Sequence, residues 1–115
     1  MVVSAYVPER GHVVWLSFTP QAGHEQAGRR PAVVLSPQAY NQRVGLALFC
    51  PITRQRKGYP FEVDLPGDLP IAGVILADQL RSLDWRARQA EYIGTLPSET
   101  LAEVLLKIQA LLAVG

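Results

Sequence analysis

The sequence predicts a mainly β domain, an antiparallel, barrel-like sheet followed by one C-terminal helix. Six short apolar or alternating runs recur between Pro, Gly, Asn and Asp positions. The connections between them are mostly too short to hold a crossover helix, which favours antiparallel pairing. Only the last stretch of the chain changes to a helical period.

The first run, residues 13–18, sets two valines before Trp15 and Leu16, and the β-branched pair favours a strand. Residues 32–36 repeat that character. Residues 44–52 form a nine-residue uncharged, apolar run. Residues 61–65 alternate Phe61, Val63 and Leu65 with Glu62 and Asp64, the pattern of a strand with one buried face. Residues 74–80 and 92–96 complete the set. Six short strands in a small chain tend to curl, since an open flat sheet would leave long unpaired edges. Residues 81–88, RSLDWRAR, place one Trp among charges, fit neither period and read as a connection. Near the C-terminus Leu101, Val104, Leu105, Ile108, Leu111 and Leu112 share one helical face, with Ser98 able to cap and Glu99 at the positive end of the dipole. Such a helix is expected to lie on the sheet as a lid.

At 115 residues and 12.6 kDa, the chain has the size of one domain, taken as residues 1–115. A hydrophobic content of 49% against 18% charged residues excludes disorder as the default. The net charge of +1 provides no global field that would select nucleic acid or a membrane. Cys50 is the single cysteine, so no intrachain disulfide can form, and with only His12 and His24 beside it no zinc site is expected. No cofactor is expected either. The N-terminus lacks a basic region followed by a long apolar one, and the longest apolar run is far short of the roughly 20 residues that span a bilayer. A cytoplasmic protein without membrane contact is the expectation.

Charge is distributed unevenly along the chain. Residues 24–57 hold Arg29, Arg30, Arg43, Arg54, Arg56 and Lys57 against Glu25 alone, a local balance of +5. Residues 58–80 hold Glu62, Asp64, Asp68 and Asp78, a balance of −4. The basic residues concentrate in two loops, 19–30 and 53–60, which could meet at one end of the barrel. Nine of the eleven basic side chains are Arg, whose planar fork suits phosphate oxygens and also stacks on bases. The first loop exceeds ordinary hairpin length and places Glu25 before Arg29 and Arg30, an arrangement that serves a reaction site or a plain salt bridge equally well. The second combines Thr53, Arg54, Gln55, Arg56 and Lys57 with Tyr59, a mixture that suits single-stranded nucleic acid. Tyr59 beside Pro60 also suits packing, and Thr53 also suits a strand-end hydroxyl bonded to backbone.

The segments GHVVWLSFTP, GHEQAGRRPAVVLSPQAYN, GYPFEV, ADQ, WRAR and IGT resemble the MazF/PemK family of toxin endoribonucleases, over a span from about Tyr6 to the C-terminus. The resemblance implies an SH3-like, partly open antiparallel barrel with a C-terminal helix, the fold also found in CcdB-type toxins. It implies a homodimer with a groove for single-stranded RNA, and a MazE-like antitoxin whose acidic tail covers that groove. It implies metal-independent cleavage in which the 2′-hydroxyl attacks, leaving a 2′,3′-cyclic phosphate and a free 5′-hydroxyl. Carried over by position, the family's catalytic arginine falls on Arg30, its threonine on Thr53 and its loop carboxylate on Glu25. Arg30 would neutralise the transition-state phosphate and Thr53 would donate to a non-bridging oxygen, with Glu25 either taking the 2′-proton or orienting Arg30. Arg29, Arg54, Gln55, Arg56, Lys57, Tyr59, Asp78 and Gln79 would bind RNA, the amides and Asp78 by reading base edges. Ser17 and Thr19 stand where relatives often carry acids, and Arg54 stands where a smaller polar residue is common. A CcdB-like protein that binds gyrase and cuts nothing is the competing expectation, but this chain lacks that group's C-terminal Trp.

Overall fold

Three apolar runs form the centre of the sheet, as β1 (His12–Ser17), β2 (Arg29–Val34) and β3 (Ala47–Thr53). The computed structural model describes residues 6–18 and 28–113. β1 pairs antiparallel with β2, and β2 with β3. Between β2 and β3 runs a short helix, α1 (Gln38–Val44), and beyond β3 come β4 (Glu62–Asp64), β5 (Val74–Leu76), β6 (Arg81–Leu83), β7 (Glu91–Thr95) and the helix α2 (Ser98–Leu112). Among the described residues the strand order is β4-β5-β3-β2-β1-β7, with β6 joined to β3 beside this path. The terminal strands β4 and β7 do not pair, so the curled sheet stays open as expected.

The central runs are apolar throughout because both faces of the sheet are covered. Val13, Val33, Cys50 and Ile52 join Val63, Ile75, Val104 and Ile108 in a core beneath α2. The alternate positions Val14, Leu16, Ala32, Val34 and Phe49 face the other way and meet Leu83 and Trp85 in a second core. Leu101, Val104, Leu105 and Ile108 of α2 pack inward as predicted. Leu111 and Leu112, assigned to the same face, are exposed at the end of the helix.

Four local expectations are corrected. Val44 closes α1 and does not open β3, and Gly45 ends that helix in the left-handed region at φ 82° with its N–H on the Asn41 carbonyl. The one buried residue of α1 is Asn41, so no apolar stripe marked this helix in the sequence. The strand placed at 74–80 stops at Leu76, where the Gln79 N–H turns back onto the Leu76 carbonyl. Part of the connection at 81–88 is the strand β6, whose Leu83 enters the second core, and the Asp84 carboxylate then accepts the Arg86 and Ala87 N–H groups to turn the chain. Ser98 does not cap α2. Pro97 occupies the cap position, its carbonyl takes the Leu101 N–H, and Ser98 is the first helical residue.

Two polar clusters fasten the edges. Asn41 is fully buried; its amide donates to the Pro8 and Ser36 carbonyls, its side-chain oxygen accepts from the Ser36 hydroxyl at 2.6 Å, and its backbone carbonyl takes the Trp85 indole N–H. Ser36 in turn accepts the Leu48 N–H at 2.9 Å. At the other edge the Glu9 N–H and the Tyr6 hydroxyl both reach His12 Nδ1, which makes that nitrogen the acceptor of a neutral ring. Burial lowers the His12 pKa and raises that of Tyr6, in keeping with this pairing. No helix among the described residues is long and apolar enough to cross a membrane.

Asn41→Ala strands two buried carbonyls and the Ser36 hydroxyl, and its expected cost is about 2–3 kcal/mol in urea unfolding. Adding Ser36→Ala should then cost much less than it does alone, because the two side chains satisfy each other. Simple additivity of the two losses would refute the shared node.

Candidate active site

Antiparallel register determines which loop-proximal residues can meet. Ala32 pairs with Pro51, Val33 with Cys50 and Val34 with Phe49. Continued two residues toward the loops, this register sets Thr53 opposite Arg30, and directly opposed residues share a face of the sheet. β5 supports the far side, pairing Val74 with Thr53. The expected pair Arg30 and Thr53 is thus brought together at the ends of β2 and β3. They line a cleft of about 520 Å³ with Trp15, Arg29, Pro31, Ile52, Arg54, Gln55, Ile71 and Ala72. Arg30 is exposed and Thr53 is half-buried.

The Thr53 hydroxyl accepts the Gln55 N–H at 3.1 Å. A hydroxyl with an acceptor site occupied in this way keeps its own proton to donate. Directly behind it, Gly73 adopts φ +140°, and a Cβ placed there would lie 2.4 Å from the Thr53 carbonyl oxygen. Only glycine permits this approach. The backbone that carries Thr53 is therefore held from both sides.

Arg29 behaves differently from its neighbour. Its guanidinium donates to Ser17 Oγ at 3.1 Å, to the Arg88 and Gln89 carbonyls at 3.4 and 3.0 Å, and to the Glu91 carboxylate at 3.3 Å. Arg88 reciprocates by donating to the Ser17 and Phe18 carbonyls, each at 3.1 Å. The acceptor Gln89 sits at φ 54°, the one non-glycine residue with positive φ among those described. Ser17, which replaces the acid frequent at this place in the resembled family, is thus a neutral acceptor for Arg29. The Phe18 N–H bonds to the Gly28 carbonyl at 2.8 Å and closes the base of the loop above this clamp. Glu25, expected in the catalytic set, lies outside the described residues, as does Thr19.

A second hollow of about 160 Å³ shares Thr53 and Gln55 with the cleft and adds Lys57, Tyr59, Glu62, Leu76, Asp78 and Gln79. Five of the expected RNA contacts therefore lie along one continuous surface with Thr53. Tyr59 is 58% exposed, which leaves its ring open to solvent. Glu62 accepts the Lys57 and Gly58 N–H groups at 2.9 and 3.0 Å and so fixes the shape of that loop. Arg56 is not among the lining residues of either hollow; its guanidinium pairs with Asp64 in an exposed ion pair. Cys50 is buried beneath the site, and burial, with a smaller contribution from Asp78, pushes its thiol up to about 12. It is no nucleophile at neutral pH. Trp15, Ile71 and Ala72 were not anticipated as site residues, because apolar side chains in and beside strands carry no chemical signal of their own.

These contacts separate the two adjacent arginines. Arg29→Ala removes four acceptors' donor and should lower stability by about 1–3 kcal/mol, read as a fall of several degrees in Tm. Arg30→Ala, at an exposed position, should stay within about 0.5 kcal/mol of the parent in the same melt. Equal losses in the two variants would show that the clamp does not depend on Arg29. Gly73→Ala should both lower Tm and depress whatever reaction depends on Thr53, and a parent-like Tm and rate would refute the close approach.

Residues 9–112 match the family described as PemK-like, MazF-like toxin of type II toxin-antitoxin system. The endoribonuclease toxin MazF of Escherichia coli K12 is 51% identical over 111 residues, spanning 96% of this chain and 99% of its own length. A crystal structure of MazF from Deinococcus radiodurans superposes with a TM-score of 0.86 at 60% identity, covering 96% of this chain and all of the other. A MazE-MazF crystal structure from the same organism gives the same TM-score at 53% identity and the same coverage. With nearly its full length matched in sequence and in backbone, the chain belongs to the MazF/PemK family of toxins.

Proposed function

We propose that the cleft between the ends of β2 and β3 is where this chain cuts single-stranded RNA. The chain is an endoribonuclease toxin of a type II toxin-antitoxin system, in keeping with the family match and the endoribonuclease named at 51% identity. The juxtaposition of Arg30 with Thr53 in one cleft carries the placement of the reaction.

In this reading the 2′-hydroxyl oxygen attacks the adjacent phosphorus, the bond from phosphorus to O5′ breaks, and a 2′,3′-cyclic phosphate and a 5′-hydroxyl result. The 2′-proton goes to a base and O5′ receives a proton from an acid, so the phosphodiester alone supplies the reacting bonds. Arg30 lies against the pentacovalent phosphate and offsets its charge, and Thr53 donates its free proton to a non-bridging oxygen. Glu25 takes the 2′-proton or orients Arg30. Arg54, Gln55, Lys57 and Tyr59 hold the flanking nucleotides, and Asp78 and Gln79 read a base edge in the second hollow. Arg29 supports this surface from behind through its clamp, and Arg56 adds charge at the rim. The protein acts in the cytoplasm as a homodimer, restrained by a MazE-like antitoxin whose acidic segment competes with RNA for these cations. The MazE-MazF crystal structures of the Deinococcus relative support that partner.

Purified protein incubated with mixed-sequence single-stranded RNA in excess EDTA should give discrete cuts with cyclic phosphate ends. Arg30→Ala and Thr53→Ala should each lower the rate by about 100-fold or more while melting like the parent. Undiminished cleavage by Arg30→Ala would move the reaction away from this cleft.

A further inference from the structure

The lining of the cleft is divided. Arg29, Arg30, Arg54, Thr53 and Gln55 form a polar rim, while Trp15, Pro31, Ile52, Ile71 and Ala72 form an apolar wall. The wall follows from strand alternation. Val13 and Trp15 project from the same face of β1, but Val13 is fully buried under α2 whereas Trp15 lies one pair further along and is only half-buried. Trp15 belongs to neither apolar core, in contrast to Trp85, which is 4% exposed and bonded to the Asn41 carbonyl. It pairs with Pro31 across β2, immediately beside Arg30, and with Glu91 across β7. A large aromatic ring is therefore presented to a cleft one strand spacing, about 4.8 Å, from the strand that carries the principal cation.

We propose that Trp15 is a stacking platform for one nucleobase of the RNA, next to the phosphate held by Arg30. The assignment rests on the reading of the cleft as the RNA site. Phosphate and base are joined within a single nucleotide, and a cationic rim beside an apolar wall matches those two halves. An indole accepts any base, so this contact supplies affinity and strand position and leaves selection to the hydrogen-bonding groups near Asp78. A planar guanidinium fork beside a flat aromatic ring suits a phosphate joined to a base and favours RNA as occupant; an apolar side chain of an acidic peptide is the alternative the test must separate.

The chain has two tryptophans, and Trp85 is buried, so changes in emission report on Trp15. The probe is a mixed-sequence, ten-nucleotide 2′-O-methyl RNA, which lacks the attacking hydroxyl and survives the titration. Binding to the antitoxin-free protein should change Trp emission and protect it from acrylamide quenching, a readout that needs no variant. Trp15→Leu should weaken binding roughly 10- to 100-fold with an unchanged salt slope, Trp15→Phe should keep most of the affinity, and Arg30→Ala should flatten the salt slope. Unprotected Trp emission in a saturated complex would overturn the proposal, as would parent-like affinity in Trp15→Leu. Protection by an acidic peptide but not by the RNA would overturn it too, in favour of the peptide. Failure of the underlying reading is visible separately, as cleavage that persists in Arg30→Ala whatever Trp15 does.

Discussion

The pairing of β2 with β3 is the constraint on which the rest of the molecule depends. Arg30 and Thr53 are 23 residues apart in sequence and meet only because Val33 lies opposite Cys50. In a half-exposed sheet, polarity would enforce that register, since a slip by one residue would send apolar side chains into water. Here both faces of the central strands are buried, and polarity discriminates less. Hydrogen bonds at the far end supply part of the missing specificity. The Leu35 N–H bonds to the Leu48 carbonyl at 2.7 Å, and Ser36, held by Asn41, takes the Leu48 N–H. A buried polar node thus contributes to where a threonine stands at the opposite end of the same two strands.

Neighbouring arginines illustrate how a strand divides labour. Successive side chains leave a strand on opposite faces, so Arg29 and Arg30 reach the cleft from opposite sides of β2. Arg29 turns toward β1 and the 88–91 turn and has its guanidinium occupied by backbone and Glu91, whereas Arg30 faces the cleft. The strained Gln89 belongs to the same assembly, since its carbonyl is one of the acceptors. Rigidity beside the cleft thereby comes from a cation whose donors are spent on the protein itself.

Much of this was legible in the sequence. The runs at 13–18 and 32–36 and the helical spacing from Leu101 to Ile108 gave the central strands and the covering helix. The segment GRRP led to Arg30, and the position after Pro51 and Ile52 led to Thr53. What escaped notice was structure whose stabilising residues are polar or few. α1 buries only an asparagine, and β6 has three residues and a single inward leucine. Nor does charge counting show that the guanidinium of Arg29, which lines the cleft, already donates to Ser17, the 88–91 turn and Glu91. Trp15 carried no site signal for the complementary reason: a hydrophobic residue in an apolar run is indistinguishable from its neighbours until the end of the buried layer is known.

The bond from the Phe18 N–H to the Gly28 carbonyl has a further consequence for how such a toxin can diversify. On one side of this bond Arg88 holds the end of β1, and on the other Arg29, at the start of β2, is joined to the 88–91 turn. With the flanks Phe18 and Gly28 bonded to each other, a change in the segment between them leaves the strand pairing that sets Arg30 against Thr53 in place. A lineage can therefore vary the residues around Glu25 to seek new substrates or evade an old inhibitor while Arg30 stays set against Thr53. An insertion of one residue within β2 has no such freedom, because it would turn both arginines to the opposite faces of the sheet and take Arg29 out of its clamp.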